Sequence, residues 1–195
     1  LFDSAIDLNQ NTQKTRYCPL LIAIGAHQQA LASDILNQWQ SSDGTLAQLQ
    51  SFPNTRYADS NEAITDVLRI QVTSLEGIKK KLGTPLGRQS KGVPQPFQAE
   101  AWRSNASLGN LIATLNSAEQ VWLGSHADGL RKLLGSQSQE LAGRIDNAYQ
   151  DSRKQLAAQQ QPLSQLLNDE VGRQQLNALY DSLNTLHRLH ETELA

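Results

Sequence analysis

Residues 174–187, QQLNALYDSLNTLH, carry the pattern that decides the fold. Leu176, Leu179, Leu183 and Leu186 follow one another at steps of three and four, which places all four side chains on one face of an α-helix. Mostly polar residues fill the positions between them. The segment therefore predicts an amphipathic helix after the interruption at Pro162, with one leucine stripe buried against neighbouring helices.

Similar spacing recurs in four earlier stretches, residues 15–40, 59–81, 108–124 and 136–156. The first of them is expected to bury a single stripe, formed by Leu20, Leu21, Ile24, Leu31, Ile35 and Trp39. Leu, Ala and Gln dominate the composition, and aromatic residues make up only 5%, which favours helices over strands. The sequence predicts an all-α protein, an antiparallel bundle of four to five long helices with a long Gly/Pro-rich loop.

Helix ends are marked by capping residues. Asp59 and Glu62 have the spacing of a capping pair, as do Ser136 and Gln139. In such a pair the side chain at the first position accepts a hydrogen bond from an otherwise unpaired backbone amide. Gly124 is expected to close the helix before it. These signals place the helix starts near residues 59 and 136.

The loop at residues 83–97 contains Gly, Pro and Lys and cannot be helical. Connections of this length inside a compact domain are usually functional or mobile. The loop is either a domain boundary or an insertion in one bundle. The helices on both sides each have one apolar stripe to bury, so we expect a single helical bundle domain over residues 1–195, or a fragment of a two-bundle protein.

Charge and cysteine content exclude several classes of protein. Seventeen Lys and Arg against nineteen Asp and Glu give a net charge of −2, so we expect no nucleic-acid partner and no attraction to anionic membranes. Cys18 is the only cysteine and cannot form an intrachain disulfide. The chain begins at Leu1 and lacks Met. We therefore expect a processed product, from which any signal peptide or lipid-anchor segment has been removed.

Residues 98–108, QAEAWRSNASL, concentrate polar chemistry that the helices lack. In one interpretation Trp102 anchors the loop, Arg103 pairs with Glu100, and Ser104 or Ser107 caps the next helix. In the other, Arg103 and the hydroxyl groups face a cleft and hold an anion, a carboxylate ligand or a second helical domain. The two roles are compatible, and we take these five residues as the candidate ligand-binding site.

Two other places invite a metal-site interpretation. His187, His190 and Glu191 lie three and four positions apart on one helix face, but two histidines rarely hold zinc and no cysteine completes the set. Packing or partial exposure is the favoured alternative. His27 lies two positions after Gly25, but Ala30 stands where a carboxylate ligand would share its helix face, so a core histidine is favoured there. We assign no catalytic residue and leave the metal ligands open.

No sequence motif of a self-contained hydrolase is present. The chain has no nucleophile elbow and no His-Glu-x-x-His element. Gly87 and Gly92 have the glycine spacing of a phosphate-binding loop, but Val93 and Pro94 occupy the places of its lysine and hydroxyl residue. These observations argue against a hydrolase or nucleotidase.

At residues 81–108 the chain resembles the imelysin family, in which a Glu-x-Trp-Arg-Ser-x-x-Ser-Leu element follows a Lys-Leu-Gly-x-Pro-Leu-Gly stretch. The matching residues are Lys81, Leu82, Gly83, Pro85, Leu86, Gly87, Glu100, Trp102, Arg103, Ser104, Ser107 and Leu108. The resemblance implies an all-helical bacterial protein, periplasmic or outer-membrane-associated, often iron-regulated and linked to iron uptake. It also implies two helical bundles with a Gly-x-His-x-x-Glu motif in the first, where this chain has Gly25, His27 and Ala30.

The resemblance implies two functions. One is a non-catalytic binding or partner-docking module in iron uptake, whose partner is an unidentified periplasmic ligand or protein. Peripheral membrane attachment through a removed lipid-anchor segment is compatible with this function. The alternative is a metal-dependent peptidase of the imelysin class, with iron or another divalent metal bound by His27 or by the group of His187, His190 and Glu191.

Overall fold

The structure, a computed structural model, describes residues 15–194. It divides into two compact units, Leu1–Ile64 and Thr65–Ala195. The part of the chain that it describes is helical and contains no β-strand, which confirms the predicted all-α class. The single domain over residues 1–195 stays a prediction. None of the helices between residues 15 and 194 combines the length and apolar character needed to cross a membrane.

The first unit contains helix α1, Cys18–Gln40, and the short helix α2, Thr45–Gln50. Pro19 lies in the first turn of α1, where its missing N–H has no helical partner in any case. The predicted burial of the α1 stripe is wrong, because every residue of this helix is exposed. A six-residue helix is too short to cover the apolar side chains of a 23-residue one.

Four long helices build most of the second unit. They are α3 (Ser60–Gly83), which begins at the end of the first unit, α4 (Ser107–Leu123), α5 (Gln139–Ala157) and α7 (Glu170–Arg188). The short α6 (Leu163–Leu166) precedes α7, and a π-helical turn, Leu189–Leu194, follows it.

Side-chain pairs show that neighbouring helices of this unit run antiparallel. The Trp122 indole of α4 donates to Asp146 of α5 at 2.8 Å. Earlier in α4, Glu119 pairs with Arg153, which lies later in α5. The contacts of Lys79 with Asn184 and of Gly83 with Tyr180 give α3 and α7 the same reversed order, as do the pairs that join α5 to the π-helical turn. The predicted antiparallel bundle is confirmed for these helices.

The core lies between these helices and is built from leucine, with Trp122 and Tyr149 as its largest fully buried side chains. All four leucines of the segment 174–187 are at most 1% exposed. Burial of apolar surface is the main force that holds such a bundle together. The periodicity therefore predicted the buried face of α7 correctly.

The predicted helix ends are partly confirmed. The Asp59 carboxylate accepts from the backbone N–H of Asn61 and of Glu62, and the Glu62 carboxylate accepts from the N–H of Ala58, so this capping pair is real. The Ser136 and Gln139 pair is wrong. A 3₁₀ turn, Ser136–Ser138, separates Ser136 from α5, and the Gln139 amide donates to backbone carbonyls instead.

The Gly/Pro-rich loop packs against α7. Arg88 donates to Asn177 at 2.8 Å, and its guanidinium carbon lies 4.3 Å from the ring centroid of Tyr180. Within the loop, the backbone N–H of Gln95 donates to the Pro85 carbonyl at 2.7 Å. These contacts fix the chain segment that leads into the candidate site.

Candidate functional site

Two tight turns position the candidate site between α3 and α4. The 3₁₀ turns Pro96–Gln98 and Trp102–Ser104 flank Ala99, which is 3% exposed. Ala101 and Asn105 bracket the second turn, with φ values of 53° and 56°. This left-handed conformation suits Asn but is costly for Ala. The side chains of Trp102 and Arg103 are therefore presented by a sharply turned, hydrogen-bonded backbone.

Phe97, Trp102 and Arg103 form a stacked group that we call the aromatic platform. The Phe97 and Trp102 ring centroids are 4.8 Å apart, with the planes at 68°. The Arg103 guanidinium carbon lies 4.4 Å from the centroid of the Trp102 ring. Edge-to-face aromatic pairs are worth about 0.5–1.5 kcal/mol, and cation–π contacts at exposed sites are worth about 0.5–1 kcal/mol. The platform thus favours a stacked orientation of Arg103 without neutralising its charge.

Arg103 does not pair with Glu100. The Glu100 carboxylate lies 3.0 Å from the Lys81 ammonium at the end of α3. Arg103 itself is exposed, and no carboxylate of residues 15–194 forms an ion pair with it. A guanidinium has five N–H donors in a planar fork that fits a carboxylate. The site therefore presents one cation that is oriented and still able to bind an anion.

The two serines act on the backbone and not as helix caps. Ser104 donates its hydroxyl proton to the Ala101 carbonyl at 3.1 Å, and Ser107 donates to the Glu100 carbonyl. Ser107 is 6% exposed and is the first residue of α4, whose start has no side-chain cap. Both hydroxyl groups therefore hold the turn in shape, and Arg103 is the group of the five best placed to contact a ligand.

Among the residues that the structure describes, several pockets of about 180 to 270 Å³ lie in the second unit. Their lining residues come from α3 to α7 and the adjoining turns, and Arg103 is not one of them. The expectation that Arg103 faces a cleft stays a prediction. The geometry that the structure does show at this site is an exposed surface.

The predicted packing of the C-terminal histidines is confirmed. His190 is fully buried and His187 is 4% exposed, while Glu191 lies at the surface. The Lys79 ammonium is 3.2 Å from His187 Nδ1, so a positive charge already occupies the position that a metal cation would need. Nowhere in residues 15–194 do three or more His, Cys, Asp or Glu side chains converge as metal ligands do. These residues do not fit a metal centre.

His27 is exposed on α1. The interpretation of His27 as a core histidine is therefore wrong, for the same reason that the α1 stripe is not buried. Ala30 is also exposed, and His27 belongs to no group of three or more metal ligands among the described residues.

A buried polar cluster escaped the sequence analysis. The Gln71 amide nitrogen donates to Tyr149 Oη and to the Ala118 carbonyl, both at 2.7 Å. His190 Nδ1 donates to the Leu186 carbonyl at 3.0 Å, and its ring meets the rings of Trp122 and Tyr149 at 5.6 Å. Glutamine is usually a surface residue, so the sequence does not indicate that Gln71 is buried. Trp122 and Tyr149, in contrast, are large side chains of the kind expected in a core.

Burial governs the titration of this cluster. Burial raises the pKa of the Tyr149 hydroxyl well above its usual value, although the hydrogen bond from Gln71 opposes the shift. Burial likewise lowers the pKa of His190, and together with the Lys79 charge it lowers that of His187. All three groups are therefore held neutral, as expected of structural residues.

Comparison with known protein families places this chain in one of them. The model of the imelysin family, Peptidase_M75, matches residues 1–190. No curated protein and no solved structure gives a significant match to the chain. The match covers nearly the whole chain, including the aromatic platform and both units.

Proposed function

Because this chain belongs to the imelysin family, we propose that it is a binding or partner-docking module in bacterial iron uptake, periplasmic or outer-membrane-associated. Iron uptake and location are what the family resemblance implies. The proposed contact surface is the segment Glu100–Ser107, with Arg103 as its main binding group. Attachment to the membrane, in this proposal, comes from a lipid-anchor segment outside the chain.

The state of Arg103 is the observation that carries the proposal. It is exposed, stacked on Trp102, and without a carboxylate partner among residues 15–194. Arg and Trp dominate the binding energy of protein interfaces because they combine large contact area with directed hydrogen bonds. The turn that carries them also contains Ala101 at φ 53°, a strained conformation of the kind that clusters at functional sites.

Complementation in the source organism tests the proposal. A strain without the gene should grow poorly when iron is limiting, and the wild-type gene should restore growth. Arg103→Ala should fail to restore it while melting within about 2 °C of wild type, since an exposed side chain contributes little to stability. The matched control is Arg69→Ala, an exposed arginine on α3 whose guanidinium contacts Asp66 on the same helix; it should restore growth fully.

Two results would contradict the proposal in different ways. Growth that does not depend on the gene at any iron concentration removes the role in iron uptake. Full restoration by Arg103→Ala leaves that role in place and removes the aromatic platform as the contact surface.

A metal-dependent peptidase is the second candidate, favoured by the peptidase name of the matching family. It predicts stoichiometric iron or another divalent metal in the purified protein and cleavage that a chelator abolishes. The described residues supply no group of ligands for that metal. Elemental analysis that finds less than one metal ion per ten chains after purification without chelator would remove this candidate.

A further inference from the structure

The aromatic platform has a chemistry that selects its occupant. Phe97 is 72% exposed, an unusual position for a phenylalanine that already contacts Trp102 at 4.8 Å. Arg103 lies on the same indole, 4.4 Å from its ring centroid. An apolar ring and an oriented guanidinium are thus held on a shared support, within reach of a single short segment of another molecule.

The charge at the platform is not balanced locally. Glu100 is the nearest acidic residue in sequence, and its carboxylate is bound by Lys81 at 3.0 Å. Arg103 has no described ion pair. A planar guanidinium that rests on an indole has lost side-chain freedom before binding, so less entropy remains to be lost when it forms two parallel hydrogen bonds to a carboxylate.

We propose that the aromatic platform binds a protein partner through an acidic side chain that is adjacent to an aromatic one. The carboxylate accepts from the Arg103 guanidinium, and the partner's ring packs on Phe97. This inference rests on the proposed docking function and names the chemistry of the partner. An exposed surface that carries aromatic and arginine side chains is typical of protein contacts, whereas small molecules usually bind in concave pockets.

The charge argues for a carboxylate and against a phosphate or nucleic acid. Recognition of phosphorylated segments uses clusters of arginines, and here one guanidinium is unpaired. The chain carries a net charge of −2, so it has no basic field that would draw a polyanion. A single arginine matches a single carboxylate in charge and in geometry.

A matched pair of peptides tests the inference on the full chain. The first is the acetylated tetrapeptide amide Ala-Phe-Asp-Ala, and the second carries Asn in place of Asp. Binding is followed by NMR at the Trp102 indole N–H, assigned by its loss in Trp102→Phe. The Asp peptide should bind roughly tenfold more tightly than the Asn peptide, which corresponds to about 1.4 kcal/mol, near the lower end for hydrogen bonds to a charged group.

Variants separate the two contacts. Arg103→Gln should make the Asp and Asn peptides bind equally, whereas Phe97→Ala should weaken both by a similar factor. Arg69→Gln, which removes a guanidinium from α3, should leave the affinities for both peptides unchanged. Thermal melts within about 2 °C of wild type show that the variants are folded.

Several outcomes overturn the inference. They are equal binding of the two peptides to the wild-type protein, no shift of the Trp102 signal with either peptide up to about 10 mM, and displacement by inorganic phosphate at the same concentration as by acetate. If the Asp peptide binds as described but Arg103→Ala restores iron-limited growth, the platform has the inferred binding chemistry, but it is not the surface that acts in iron uptake. If growth requires Arg103 but the peptides bind equally, the docking function stands and the partner chemistry is wrong.

Discussion

The hydrogen bond between Gln71 and Tyr149 gives the sharpest test of how the second unit is held together. Gln71 is 3% exposed and Tyr149 is 1% exposed. The Gln71 amide gives one proton to Tyr149 Oη and the other to the Ala118 carbonyl. Tyr149→Phe removes one acceptor and leaves a buried N–H without a partner, which costs about 1–3 kcal/mol.

The same reasoning fixes what a double variant should do. Gln71→Leu alone leaves the Tyr149 hydroxyl buried without a partner, again at a cost of about 1–3 kcal/mol. When Gln71→Leu and Tyr149→Phe are combined, neither polar group remains, and the pair is expected to be within about 1 kcal/mol of wild type. The two single effects should therefore not add, because the residues are in contact.

Urea unfolding followed by far-UV circular dichroism measures the free energy of unfolding of the two single variants and of the double variant. In thermal melts, 1 kcal/mol corresponds to roughly 2–4 °C for a chain of this length. Tyr180→Phe is the control, since Tyr180 is partly exposed and its hydroxyl makes no described hydrogen bond; it should change stability by less than about 0.5 kcal/mol. Single costs that add in the double variant would refute the reasoning, and so would single variants as stable as wild type.

Two further predictions concern stability. Because burial lowers the pKa of His190 and His187, the unfolded chain binds more protons than the folded one; the stability that both contribute as neutral groups is present above about pH 6.5 and is lost as the pH falls below it. The urea concentration at the midpoint of unfolding should be lower at about pH 5 than at about pH 7.5. His190→Phe should make this difference smaller, and a difference as large as that of wild type would count against the argument. Gly172→Ala should cost about 1–3 kcal/mol, since its Cβ would overlap the Leu166 carbonyl oxygen. Gly143→Ala, with open space around its Cβ, should instead stabilise by about 0.5–1 kcal/mol, and equal effects of the two changes in a thermal melt would show that packing at Gly172 is not tight.

Local signals in the sequence predicted local structure well. The Asp59 and Glu62 cap is made as predicted, because both bonds join residues within four positions of each other. The Ser136 and Gln139 pair has the same spacing and forms no cap. A 3₁₀ turn inserts ahead of α5 there, and the spacing of two residues contains no information on where the helix begins.

The composition of the segment located the candidate site, but it did not predict the contacts within that site. Sequence analysis singled out Arg103 and offered Glu100 as its partner. In the structure Glu100 forms an ion pair with Lys81, and the Arg103 guanidinium stacks on the Trp102 ring. Lys81 is at the end of α3, and only the path of the intervening loop decides that it reaches Glu100.

The sequence alone determined that the chain forms long helices and which face of α7 is buried. The repeat of Leu176, Leu179, Leu183 and Leu186 fixes both, because helical geometry sets the direction of each side chain from its position in the chain. The tertiary structure decided which faces find a partner. It leaves the apolar stripe of α1 exposed and joins Gln71 to a tyrosine 78 positions away. Such pairings depend on how the loops bring the helices together. The periodicity within one helix does not predict which helix becomes its neighbour.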